Sequence, residues 1–211
     1  SGTGTNTWVF MATIVAGLND SDGVSLPLNA LTLNGAILSD TAGNACVITS
    51  AAVIANPLFL VDTTVPTVII TSDIGVLKAG DTGNITFKLS EDTGSSFAWD
   101  GSAGDLSVTG GTLSAISGTG LTRTAVFTPT ANVNSGNATV VVNAGSYTDA
   151  AGNTGAQGNT PSMTLDTLGL DIYSVNAYKN SGLNASVGSK VGANLYYQEA
   201  TTINLTGGIP T

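Results

Sequence analysis

A repeat constrains this chain more than any local pattern does. One internal copy occupies residues 62–165. It opens on V-D-T-T-V-P, passes through G-D-T-G-N-I-T-F-K-L-S-E and D-L-S-V-T-G-G-T-L-S, continues with S-G-T-G and A-V-F, and closes on D-A-A-G-N before L-D-T starts the next copy. Residues 1–61 begin with S-G-T-G and W-V-F and carry D-T-A-G-N, so they match only the second half of that unit. Residues 166–211 carry G-S-K-V-G-A-N-L-Y-Y-Q-E and I-N-L-T-G-G, so they match only the first half. A fixed repeat decides architecture before any local reading does, because each unit must bury its apolar face within one sandwich or against a neighbour. The expected organisation is a complete unit at 62–165 flanked by a C-terminal half at 1–61 and an N-terminal half at 166–211.

The two outer stretches together are about as long as the internal copy. Placing the end of the chain before its beginning gives L-T-G-G-I-P-T followed by S-G-T-G-T-N-T-W-V-F, against V-T-G-G-T-L-S-A-I-S-G-T-G-L-T-R-T-A-V-F in the intact copy. The expectation is that the tail of one subunit completes the first stretch of the next. Trp8 and Phe10 on the acceptor, and Leu195, Tyr196, Tyr197, Ile203 and Leu205 on the donor, are the residues expected at that shared sandwich.

Within the intact copy, runs such as V-P-T-V-I-I-T, N-I-T-F-K-L, T-A-V-F-T-P and A-T-V-V-V-N recur every ten or so residues with Gly, Asn, Asp or Pro between them, the spacing of a β-sandwich. Ile85, Phe87 and Leu89 alternate with Thr86 and Lys88, which puts the three apolar side chains on one face. Val68, Ile70, Val108, Phe127, Val140 and Val142 are expected to join them in the core. Lys88 then faces solvent, which argues against an isopeptide staple there. Residues 50–55 could form a helical turn, but nothing else carries a 3.6-residue period. The reading is all-β: antiparallel sandwiches, one complete and two halves that complement between subunits.

Composition narrows function. Only 9% of the chain is charged, 42% is apolar, and there is no His. The net charge of −9 comes from 14 acids against 5 bases. That excludes the basic footprint that nucleic acid or an anionic membrane surface requires, and no apolar run is long enough for a transmembrane helix. Without His, and with a single Cys, no nucleophile–base pair or metal-hydrolase spacing can be assembled, so catalysis is not expected. Cys46, in the alternating segment A-C-V-I-T, is expected to be a small buried apolar residue. The five N-x-S/T sequons, at Asn19, Asn84, Asn137, Asn184 and Asn204, are what so much Asn, Ser and Thr gives by chance.

The intact copy resembles the bacterial immunoglobulin-like repeats of very large surface adhesins and biofilm-associated proteins. The resemblance rests on V-D-T-T-V-P at 61–66, L-S-E at 89–91, V-T-G-G-T-L at 108–113, F-T-P-T at 127–130 and Y-T-D-A-A-G-N at 147–153. Residues 1–61 resemble a sister subtype through A-G-L-N-D-S-D-G-V, A-L-T-L-N-G and S-D-T-A-G-N. From Leu168 onward the chain departs from the pattern, lacking the usual T-x-P after the Asp. The resemblance implies an extracellular, cell-surface location and an immunoglobulin-like fold.

Asp40 and Asp149 each open a D-x-A-G-N loop, with Asn44 and Asn153 at its end, while Asp62 and Asp166 each open a unit. Carboxylate and carbonyl oxygens gathered at turns are what Ca²⁺ requires, and the family resemblance implies Ca²⁺ at unit junctions. Asp62, Asp149 and Asn153 are the candidate ligands at one junction; Asp166, with Asp40 and Asn44, at the other. The plain alternative is that these Asp side chains only stabilise turns. Trp99 is read as covering one end of the sandwich, with a glycan-stacking contact as the alternative.

Four functions follow. The first is a structural subunit that polymerises head-to-tail with identical subunits by strand complementation into an extracellular filament. The second is a segment of a giant calcium-stiffened adhesin, the third a phage tail or capsid appendage, and the fourth a carbohydrate-binding module resting only on Trp99.

Overall fold

The structure is a computed structural model that describes residues 7–158, 161–179 and 191–197. Ten strands are formed: β1 (Val68–Ser72), β2 (Val76–Lys78), β3 (Gly83–Leu89), β4 (Leu106–Thr109), β5 (Gly111–Leu113), β6 (Thr122–Pro129), β7 (Gly136–Val142), β8 (Met163–Asp166), β9 (Ile172–Lys179) and β10 (Val191–Tyr197). No helix occurs among the described residues. The first eight strands make two sheets, β1-β3-β6-β5 and β2-β8-β7-β4. Every neighbouring pair is antiparallel except β2 with β8, which run parallel. Two sheets facing each other with this interleaved connectivity are an immunoglobulin-like sandwich, and the all-β expectation holds.

Alternation builds the core. Along β3 the side chains of Ile85, Phe87 and Leu89 are buried while Lys88 is exposed, since successive residues of a strand point to opposite faces. Val68, Ile70, Phe127, Val140 and Val142 are buried with them; Val108 is only partly buried and packs against the edge of the core. Phe97 sits between Phe87 and Tyr147, with ring centroids 5.5 and 5.4 Å apart in edge-to-face contact. Trp99 is half-buried against this core and donates its indole N–H to the Leu113 carbonyl at 3.3 Å. Arg123 lies on the core face of β6, in phase with Ala125 and Phe127. Its guanidinium is tolerated because it donates to the carbonyls of Phe97 and Gly94 and stacks 5.6 Å from the Phe97 centroid.

The V-T-G-G-T-L segment is where the chain leaves one sheet for the other. β4 belongs to one sheet and β5 to its partner, with Gly110 between them at φ +77°. A Cβ on Gly110 would meet the Asn137 carbonyl oxygen at 2.5 Å, so the corner needs glycine for both its backbone angle and its closeness.

Outside this sandwich the structure is sparser. Residues 7–61 run as extended segments linked by isolated bridges: Asp20 with Val61, Leu26 with Val53, and Ser39 with Ala45. Residues 50–55 are extended, not helical, because Val53 exchanges two hydrogen bonds with Leu26. Cys46 is exposed, contrary to the buried position expected from its alternating neighbours. Its segment lies in residues 7–61, where the described residues form isolated bridges and no regular strand, so alternation there does not produce burial. β9 and β10 form an antiparallel hairpin.

Candidate functional site

Two features stand apart from the packed sandwich: a cluster of carboxylates where the complete unit begins, and an uncovered apolar face on residues 7–61.

The carboxylate cluster is assembled by three separate parts of the chain. Asp62 precedes β1, Glu91 follows β3, and Asp149 lies within the connection between β7 and β8. One carboxylate oxygen of each lies within 4.8 Å of the others. Asn153 shapes the loop: its backbone N–H donates to Asp149 Oδ1 at 2.9 Å and its side-chain amide to Asp149 Oδ2 at 2.8 Å. The same amide nitrogen donates to the Asp62 carbonyl at 3.0 Å, fixing the loop against the start of the unit. Gly152, at φ +92°, supplies the left-handed turn that D-A-A-G-N needs.

Three acids this close repel. Burial raises the Glu91 pKa, and the charges of Asp149 and Asp62 push it the same way. Burial also opposes charge on Asp149, but the hydrogen bonds from Asn153, Gly152 and Ala151 outweigh it and hold that carboxyl below its usual range. Glu91 Oε1 is buried and has no hydrogen-bond partner. A buried carboxylate oxygen without a donor, facing two other carboxylates, suits an oxygen-seeking cation such as Ca²⁺. Asp62, Glu91 and Asp149 would hold it, and Asn153 would act as the brace.

Glu91 is the residue that the sequence reading missed. It stands beside Asp92 and reads as part of a polar turn. The signal that could have found it is that the chain has only two Glu, at 91 and 199, and both end the matching segments F-K-L-S-E and L-Y-Y-Q-E.

The other metal candidates are placed differently. Asp40 and Asn44 form the same turn as Asp149 and Asn153: Asn44 donates its backbone N–H to Asp40 Oδ1 at 2.8 Å and its amide to Oδ2 at 2.7 Å. Gly43 takes φ +90° where Gly152 takes +92°. The side-chain and backbone donors of Asn44 hold Asp40 below its usual pKa. Asp166, at the end of β8, is not gathered with Asp40 into a carboxylate cluster among the described residues.

The uncovered face repeats a face that is buried in the sandwich. T-N-T-W-V-F at 5–10 aligns with T-R-T-A-V-F at 122–127, so Trp8 and Phe10 occupy the positions of Ala125 and Phe127. Ala125 and Phe127 are core residues, yet Trp8 and Phe10 are 55% and 69% exposed. With Leu31, Leu33, Ile37 and Leu38 they line an open apolar cleft of about 430 Å³.

The hairpin of β9 and β10 aligns in sequence with β1 and β3 of the sandwich. β9 and β10 place Ile172 opposite Tyr197, as β1 and β3 place Val68 opposite Leu89. Those pairs occupy equivalent positions in the repeat. Beyond an irregularity at Tyr196 and Tyr197, Leu195 faces Val175, while Tyr173 and Tyr196 bring their rings to 6.1 Å. Ile172 is 51% exposed and Leu195 46%, whereas Val68 and Phe87 are core residues. Ile203 and Leu205 lie outside the described residues.

Compared with known proteins, residues 62–166 match a family model described as bacterial Ig-like domain. No curated protein and no solved structure was found to match the chain.

Proposed function

Residues 62–166 belong to the bacterial Ig-like domains, a domain type typical of bacterial surface proteins and of non-enzymatic structural modules, and on that footing we propose that the chain is a structural subunit of an extracellular filament. Subunits join head-to-tail. The β9–β10 hairpin and the residues after it, from one copy, cover the apolar face of residues 7–61 on the next.

The observation that carries this reading is the exposure of Trp8 and Phe10 at positions whose repeat equivalents are core residues. An apolar face left in water is unstable and adhesive. Strand addition from a second chain covers the face and pairs the open edges together. Donor and acceptor are different surfaces, so the contact is heterologous and propagates into a fibre unless it closes.

The test is sedimentation and negative-stain microscopy of chain 1–211 beside a chain ending at 167. The full chain should form ordered filaments and the shortened one should not. If the shortened chain still forms them, strand complementation is wrong. Covering strands supplied by a longer polypeptide, as in a giant adhesin, then become the better reading, and the intact mass of native material would be far above 20.9 kDa.

The unpartnered Glu91 oxygen favours a second element of the same function: Ca²⁺ held by Asp62, Glu91 and Asp149 stiffens the junction between units. A cation that binds only the folded junction stabilises it by mass action. Calorimetric titration of the protein with Ca²⁺ tests it, and absence of saturable heat would leave these Asp residues as turn formers.

A further inference from the structure

The complete unit supplies a pairing rule that the assembly can be read against. In it, β3 pairs β6 antiparallel with Gly83 opposite Phe127, Asn84 opposite Val126, Ile85 opposite Ala125 and Thr86 opposite Thr124. The segment G-N-I-T-F-K-L-S-E at 83–91 aligns with V-G-A-N-L-Y-Y-Q-E at 191–199, ending on the chain's two Glu. The segment T-R-T-A-V-F aligns with T-N-T-W-V-F at 5–10. Transferring the pairing places Val191 opposite Phe10, Gly192 opposite Val9, Ala193 opposite Trp8 and Asn194 opposite Thr7.

Side-chain size at one inward pair of that register is compensating. In the complete unit a large residue on the β3 side, Ile85, faces a small one on the β6 side, Ala125, and both are buried. In the transferred pair the sizes are reversed: Ala193 is small and Trp8 large. Two cross-strand partners on one inward face must share a fixed volume, so enlarging one requires shrinking the other. A shift by one residue would set Trp8 opposite Gly192 or Asn194 and turn one strand's apolar set to the outer face.

We infer that β10 of one copy pairs with residues 7–10 of a second copy in this register, and that Trp8 of the acceptor occupies the room left by Ala193 of the donor. The inference rests on the strand-complementation reading and specifies its partner: a second copy, with the Trp8–Ala193 contact deciding fit. Because the complete unit uses the opposite size order, a foreign strand bearing Ile at the position of Ala193 is rejected by the acceptor. The assembly thereby distinguishes its own donor strand from other strands of the same repeat type.

A size-exchange experiment on the full chain tests this. Trp8→Ala empties the contact and Ala193→Ile overfills it, and each should weaken assembly, measured as critical concentration by sedimentation, by about tenfold or more. The double variant, which recreates the Ala125–Ile85 pair, should recover most of the loss. Thermal unfolding of the 62–166 domain should be the same in all four proteins, which separates an assembly defect from misfolding. If the unaltered chain assembles but the single variants do so equally well, or the double variant is no better than either, the register is overturned while complementation stands. If the unaltered chain does not self-associate at all, both fall.

Discussion

Tyr147 ties the loop between β7 and β8 to the start of the complete unit: its hydroxyl lies 3.1 Å from the Pro66 carbonyl oxygen and 3.0 Å from that of Ala156. The ring below is fully buried against Phe97, and Gly155 lies so close to it that any Cβ there would run into the ring. Tyr147→Phe keeps the packing and removes the hydroxyl, leaving the Pro66 carbonyl only the Ala156 N–H, so it should cost about 1–2 kcal/mol in denaturant unfolding of the 62–166 domain. Gly155→Ala should cost more, about 1–3 kcal/mol or above, by displacing the ring. Equal stability of both variants to the parent would show that this corner does not hold the sandwich shut.

Asp73 gives the acid sensitivity a definite sign. The Asn84 side-chain amide donates to it at 2.6 Å and the Asn84 backbone N–H at 2.7 Å, and together they hold its carboxyl below the usual 3.8. A carboxyl with a depressed folded-state pKa contributes stability above its unfolded pKa and loses it as pH falls through the folded value. Asp73→Asn should therefore flatten the fall in stability below about pH 4 and leave the slope above pH 5 unchanged. An identical acid limb in the variant would mean that the pair contributes nothing measurable.

The carboxylate cluster predicts a charge-specific response to Ca²⁺. Glu91→Gln keeps the shape, removes one of three charges and relieves repulsion with Asp62 and Asp149. Without divalent cation, the variant should melt at or above the parent's temperature. With millimolar Ca²⁺, the parent should rise and the variant should gain much less. A parent whose melting curve is the same in Ca²⁺ and in chelator would reduce the cluster to turn chemistry.

The sandwich was legible because β3 and β6 alternate strictly and one face is buried; Lys88 falls on the solvent side for the same reason. What escaped the sequence was whatever depends on packing between distant segments. The parallel β2–β8 pair rests on the three residues Val76–Lys78, too short a run to show a period. Arg123 stands in phase with Ala125 on the core face of β6, and the carbonyls that receive it, of Phe97 and Gly94, come from a segment distant in sequence. Glu91 reaches Asp149 only because the loop after β7 folds back to the start of the unit. Cys46 shows the converse: local alternation means burial only where a second sheet is present to cover it.

Trp8 makes assembly directly visible. The chain has two Trp; Trp99 is half-buried in the complete unit, and Trp8 is exposed on the uncovered face. In a Trp99→Phe background Trp8 is the sole indole, and its emission should be that of a solvated ring in a chain ending at residue 167. Adding a peptide of residues 168–211 supplies the donor strands without permitting a chain of subunits to grow. If the peptide covers Trp8, emission should shift to shorter wavelength in a saturable way, and Trp8 should become less accessible to a soluble quencher. The same peptide carrying Ala193→Ile should produce a weaker shift at equal concentration, because the enlarged side chain competes with the indole for one space. No shift with the unaltered peptide, at concentrations where the full-length chain polymerises, would mean that the filament covers this face with something other than the tail.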